Sequence, residues 1–268
     1  MENKITVPTE ETLNKDLSEK KNDTVKANTK KVPFAVVEAY KTIRTNLFFS
    51  LPKDGCKTFV ISSPSPSEGK STTALNVAIA FSQFGKNVLL IDGDLRRPSL
   101  HKKAKLLNTK GLYNALVGTA SIEECIQSVN RNFDILTSGP LPPNPPEMLG
   151  SEAFDNLLTT LKERYEYIIF DSPPVNVVSD AITLAPKTDG LLMVVRDGFT
   201  NRDDLKHAID ACEFANIRIL GVVLNDIDTK RASKYSYKKR YYAKYNYRYR
   251  YSYSRSSTSN NQVDSAKK

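Results

Sequence analysis

Lys70 stands in the run Ser62-Ser63-Pro64-Ser65-Pro66-Ser67-Glu68-Gly69-Lys70-Ser71-Thr72, in which small and hydroxyl residues surround one lysine. That combination suits a polyphosphate. Gly69 lets backbone N–H groups come close to an anion, Lys70 can reach β- and γ-phosphates, and Ser71 can ligate Mg²⁺. Ser67 and Glu68 complete the turn that feeds the helix beginning at Lys70, whose N-terminus adds unpaired N–H groups and a positive dipole end. The strict pattern wants a glycine at position 64, where the sequence has Pro64. Taken alone, the run is equally a flexible turn that caps a helix.

Carboxylates supply the rest of the chemistry. Asp171 closes the apolar segment Tyr167-Ile168-Ile169-Phe170-Asp171, where it could hold Mg²⁺ through water. Asp92 and Asp94 close Val88-Leu89-Leu90-Ile91-Asp92-Gly93-Asp94, followed by Arg96 and Arg97. A single aspartate at the end of a strand is often only a turn or cap residue. In a parallel sheet, however, all strand C-termini share one edge, and ligands bind there. A phosphate loop and three carboxylates on that edge make a Mg-ATP site with a spare base.

The elements that must carry these residues alternate. Phe34 to Ser50 has helical apolar spacing and ends before Pro52 and Gly55. Strands are predicted at 57–62, 87–92, 133–136, 167–171, 191–195 and 219–224, several of them apolar throughout, as in sheets covered on both faces. Between them the pattern predicts helices at 70–84, 112–116, 122–129, 147–165, 180–185 and 201–215. Gly139 to Pro146 holds five prolines in eight positions and is predicted to be an extended loop. The alternation predicts an α/β fold with a doubly wound, mostly parallel sheet over residues 32–228. Residues 1–31 and 229–268 are predicted to be disordered.

Composition narrows the function classes. The three cysteines, Cys56, Cys125 and Cys212, lack any CxxC spacing and support neither a disulfide framework nor a thiolate metal site. No apolar run reaches membrane-spanning length, and residues 1–31 have no apolar core of a signal peptide, so a cytoplasmic protein is expected. The net charge of +9 is unevenly placed. Residues 230–268 hold twelve Lys or Arg and one acid, Asp264, so the remainder of the chain is slightly acidic.

The same tail concentrates tyrosine: Tyr235, Tyr237, Tyr241, Tyr242, Tyr245, Tyr247, Tyr249, Tyr251 and Tyr253 are nine of the chain's thirteen. Basic residues between tyrosines can bind single-stranded nucleic acid by stacking, or anionic lipid by charge. They can also be phosphoacceptors, each gaining about −1.5 to −2 charges, which would reverse the sign of the tail. Composition alone favours nucleic acid. The attached ATP site favours phosphorylation, and nucleic acid is then not expected as a partner.

The segments PSEGKSTTALNVA, VLLIDGDLRRP and YIIFDSPP resemble, in order, the Walker A, A′ and B motifs of the bacterial tyrosine kinases of capsular and exopolysaccharide synthesis. GPLPPNPPEML (139–149), the acidic Asp180 and the terminal tyrosines extend the resemblance over residues 33–253. It implies a P-loop NTPase fold of the deviant-Walker, MinD-like type, with ATP and Mg²⁺ as cofactors. It makes Asp92 the base for the tyrosine proton, Asp94 and Asp171 the Mg²⁺ supports with Ser71, and Lys70, Ser71 and Thr72 the phosphate contacts. Asn225 becomes an adenine contact by likeness to related P-loop proteins. Glu38, Lys41 and Arg44 resemble an ExxRxxR oligomerisation motif with Lys in place of the middle Arg; a solvated helix face is the alternative. Members without membrane spans work with a membrane adaptor that activates them, and with a cognate tyrosine phosphatase, in homo-oligomeric rings. The competing readings are a partitioning or septum-positioning ATPase, which would need a lysine at Ser65, and a nucleotide-binding scaffold with a polybasic tail.

Overall fold

The computed structural model describes residues 33–227. The segment 1–31 and the tyrosines from Tyr235 to Tyr253 lie outside the described residues. The chain divides between Ala39 and Tyr40. Residues 33–39 open helix α1 (Phe34–Ser50), with the Pro33 carbonyl accepting from the N–H groups of Val36 and Val37. The sheet and its edge belong to the second unit.

The elements that follow are β1 (Lys57–Ser62), α2 (Lys70–Ser82), β2 (Val88–Asp92), α3 (Leu100–Ala104), α4 (Leu112–Leu116), α5 (Ile122–Cys125), β3 (Ile126–Asn130) and β4 (Phe133–Leu136). After them come α6 (Pro145–Gly150), α7 (Glu152–Lys162), β5 (Tyr167–Asp171), α8 (Asp180–Leu184), β6 (Leu191–Arg196), α9 (Arg202–Phe214) and β7 (Ile219–Asn225). The seven strands are ordered β3-β4-β2-β5-β1-β6-β7. All neighbouring pairs are parallel except β3 with β4. This is the doubly wound α/β sheet that the alternation predicts.

Successive strand residues point to opposite faces, and here both faces are covered. Ile168 and Phe170 of β5 join a core beneath α7, α8 and α9 with Phe154, Leu158 and Ala208. Tyr167 and Ile169 join the other core, with Phe59, Val77 and Phe81. Phe81 stacks on Tyr167 with ring centroids 4.1 Å apart. A one-residue slip would exchange the two cores, so register here is held by how each side chain packs in its own core rather than by a polar face.

Three local expectations are corrected. The helix expected over 122–129 stops at Cys125, and Ile126–Asn130 is an edge strand antiparallel to β4. The Ser121–Glu124 capping box starts the helix, but Ile126 is already extended, at φ −77° and ψ 131°. The helix expected over 147–165 is two helices, broken where Ser151 turns extended (φ −74°, ψ 156°) and caps the second by accepting from the Phe154 N–H at 3.2 Å. The proline-rich loop gives way earlier than expected, because Pro145 and Pro146 open α6; proline has no N–H to waste in a first turn. Helix α3, of five residues, is an addition to the expected elements.

A candidate phosphoryl-transfer site

The carboxyl edge of the sheet collects the motif residues. β1 leads into the loop at 63–69 and then α2, while β2 and β5 are adjacent and in register, with Asp92 opposite Asp171. Gly93 follows Asp92 and donates its N–H to the Asp171 carbonyl at 2.7 Å. A Cβ at Gly93 would meet that carbonyl at 3.0 Å, so any side chain there would press on the close join of the two strand ends.

Lys70 is the hub. Its ammonium lies 3.0 Å from Asp94 Oδ2 and 3.6 Å from Asp171 Oδ1, with the side chain 13% exposed. Burial works to lower the Lys70 pKa, but the charges of Asp171 and Asp94 outweigh it and hold the ammonium above its ordinary value. Asp94 is steadied through Oδ1, which accepts the Arg97 N–H at 2.9 Å. Asp92 is fully buried and uses Oδ2 to cap α3, accepting from the N–H groups of Ser99 (3.1 Å) and Leu100 (3.0 Å). Asp92 Oδ1 and both oxygens of Asp171 are buried and complete no hydrogen bond. Burial, and then the charge of Asp171, push the Asp92 carboxyl up to about 8. Burial likewise raises Asp171, against the pull of Lys70 and of the nearby Ser71 hydroxyl.

This edge is short of positive charge, and orphaned carboxylate oxygens around one ammonium fit a divalent cation. Among the described residues, no group of three His, Cys, Asp or Glu side chains could cage a metal by itself. Mg²⁺ asks for less: one or two carboxylates, with water and substrate phosphate filling the remaining positions. Asp171, Asp94 and Ser71 suit that partial shell.

The phosphate loop is braced from three sides. The Ser63 and Pro64 carbonyls accept from the N–H groups of Val175 and Asn176, in the loop after β5. Glu68 is 1% exposed and accepts from Thr200 Oγ1 at 2.7 Å and from the Ser65 N–H at 3.2 Å. Burial raises its pKa, and those hydrogen bonds oppose the rise. Asn225 donates Nδ2 to the Glu68 carbonyl at 3.0 Å, which places it against the loop backbone. Gly69 has φ +95°, and a Cβ there would collide with the Asn225 amide. Ser67 also has positive φ, 64°, in a region that a serine enters at a cost of about 1–2 kcal/mol. Thr72 is exposed, and its hydroxyl accepts from Lys103 at 3.0 Å.

Two couplings were invisible in the spacing. Arg96 forks onto the fully buried Asp180 through Nε and Nη2 at 3.0–3.3 Å, tying the A′ loop to α8. Thr200 reaches Glu68 across 132 positions. The arginine of DGDLRR and the acid at 180 were separate features in the sequence; only the strand order brings them together. Of the helix α1 residues, Arg44 donates Nη1 to the Ala80 carbonyl at 3.2 Å and lies 4.5 Å over the Phe84 ring, so it clasps α2. Glu38 falls in the first unit and Lys41 in the second.

A parallel sheet with a phosphate loop after β1 and carboxylates ending its two neighbouring strands defines a P-loop nucleotide-binding protein. The sequence family described as AAA domain matches residues 56–200. Tyrosine-protein kinase YwqD of Bacillus subtilis (strain 168) is 41% identical over 201 residues, which is 75% of this chain and 85% of that protein. Putative tyrosine-protein kinase CapB of Staphylococcus aureus is 32% identical over 203 residues, covering 75% of this chain and 89% of the relative. The crystal structure of the chimerical protein CapA2B2 superposes with a TM-score of 0.70 at 37% identity, covering 75% of this chain and 88% of that one. The chain belongs to the bacterial tyrosine-protein kinase family.

Proposed function

We propose that this chain is an ATP- and Mg²⁺-dependent protein-tyrosine kinase that phosphorylates its own C-terminal tyrosines in trans, in the service of capsular or exopolysaccharide synthesis. The observation that carries the reading is the buried set Asp92, Asp94 and Asp171 around the Lys70 ammonium, with carboxylate oxygens left unsatisfied. Lys70, Ser71 and Thr72, with the loop residues Ser67, Glu68 and Gly69, would hold the nucleotide phosphates. Asp94, Asp171 and Ser71 would hold Mg²⁺, which when bound neutralises charge on the transferring phosphoryl group.

Asp92 would act as the base. Its Oδ2 is fixed by two backbone N–H groups, leaving Oδ1 to take the proton from the acceptor phenol. The phenolic oxygen then bonds to the γ-phosphorus as the β–γ bridge breaks, and ADP leaves. The buried wall of β2 and β5 keeps water from competing as acceptor. Asn225, held against the loop backbone through the Glu68 carbonyl, is proposed to lie at the adenine.

The domain plan we infer is a kinase body at 32–228 between the segments 1–31 and 229–268. Glu38, Lys41 and Arg44 are proposed to serve a homo-oligomeric ring in which one subunit presents its tail to the next. Among the described residues, no helix is long and apolar enough to cross a membrane. Attachment to the inner membrane face is proposed to run through a separate adaptor, with a cognate tyrosine phosphatase reversing the modification.

Transfer in trans is tested by mixing a Lys70→Met chain with a chain whose nine tail tyrosines are Phe, in the presence of ATP, Mg²⁺ and the adaptor's cytoplasmic segment. Phosphotyrosine should form on the Lys70→Met chain only in the mixture. If the wild type modifies itself but the mixture stays unmodified, transfer is in cis. ATP hydrolysis without any phosphotyrosine in the wild type would favour an ATPase switch instead.

A further inference from the structure

Lys103 was not among the residues marked by any motif, yet the fold brings it to the phosphate loop. It sits on α3, the short helix anchored by Asp92, and its Nζ donates to Thr72 Oγ1 at 3.0 Å across 31 positions. Among the described residues, no carboxylate pairs with this ammonium at ion-pair distance.

The charge count at the edge makes such a cation useful. Asp94 and Asp171 face one buried ammonium, and a magnesium-bound nucleotide still brings net negative charge. Arg96, a cation of the same segment, is already committed to Asp180. Lys103 is exposed at the rim, and its field already eases the ionisation of Asp171.

We propose that Lys103 is a further nucleotide-binding residue, its ammonium docked on Thr72 and passing to the phosphate chain when the nucleotide enters. The inference rests on the P-loop reading above and extends the site to a second lysine, contributed by the A′ helix. A phosphate oxygen is a stronger acceptor for an ammonium than a threonine hydroxyl, because both partners are charged. Binding of ADP and ATP would gain alike, so the residue serves affinity and not the transfer step.

The test uses the full-length chain and calorimetric titration with ADP and with a non-hydrolysable ATP analogue, both with Mg²⁺. Lys103→Met should weaken both ligands about five- to tenfold, and Lys103→Arg should restore most of the loss. In steady state, Lys103→Met should raise the KM for ATP while leaving kcat within about twofold. An unchanged dissociation constant overturns the proposal, as does a fall in kcat at unchanged affinity. Lys70→Met separates the two readings: if it abolishes binding while Lys103→Met leaves both dissociation constants unchanged, only this inference fails. If neither variant loses nucleotide, the phosphate-loop reading itself is wrong. Thr72→Val, which removes the dock but keeps the shape, should leave Lys103→Met with a similar loss.

Discussion

The body of the sheet and its carboxyl edge are built on opposite terms. In the body, alternate residues of β5 fill two apolar cores, and Phe59, Phe81 and Phe170 are fully buried. At the carboxyl ends of β2 and β5, Asp92 and Asp171 are equally buried, each with an oxygen that completes no hydrogen bond. The body stores stability and the edge spends some of it. Buried charge facing too few partners is tolerated because a well-packed sheet holds it in place, and it becomes favourable when a cation and phosphate arrive.

Breaking the body should produce the largest effect. Phe81→Ala removes a ring stacked on Tyr167 and should cost about 3–5 kcal/mol in urea denaturation. A loss below about 1 kcal/mol would show that the second core is not tightly packed. Arg96→Ala strands the buried Asp180 and should cost about 1–3 kcal/mol, largely restored by adding Asp180→Asn. No rescue in the double variant would mean that Arg96 acts through something other than this pair.

The sharpest contrast comes from a substitution that should stabilise. Asp171→Asn removes a buried charge and should raise nucleotide-free stability by about 1 kcal/mol while lowering phosphotyrosine formation at least about a hundredfold. Destabilisation together with lost activity would place Asp171 with the structural residues. Smallest of all, Ser67→Gly relieves the positive φ in the phosphate loop and should shift stability upward by less than about 1 kcal/mol. Differential scanning calorimetry can read both.

The body was readable because its signal is local. Apolar runs such as Val88–Ile91 and Tyr167–Phe170 announce two-sided burial, and Gly69-Lys70-Ser71 between strand and helix announces a phosphate loop. Ile126–Asn130 misled because a capping box beside it starts a true helix, and nothing nearby says that it lasts one turn. Ser151 hid the break in 147–165, since a serine inside an amphipathic run looks like any polar position. At the edge, the aspartates were found from their strand-terminal placement. The clasp of Arg96 on Asp180, the brace of Thr200 on Glu68 and the approach of Lys103 to Thr72 were not, because each depends on which strands lie side by side. Arg44 shows the same limit: the helix face was legible, but its grip on Ala80 and Phe84 required the packing of α1 against α2.

The central claim is that the unsatisfied carboxylates at the edge form the transfer centre, with Asp92 accepting the phenol proton. Mass spectrometry of the full-length chain after incubation with ATP, Mg²⁺ and the adaptor's cytoplasmic segment, wild type beside Asp92→Asn, tests it most directly. Phosphotyrosine is expected between Tyr235 and Tyr253 in the wild type. In Asp92→Asn a loss of at least about a hundredfold is expected, with ADP affinity preserved. Undiminished tail phosphorylation in Asp92→Asn would contradict it.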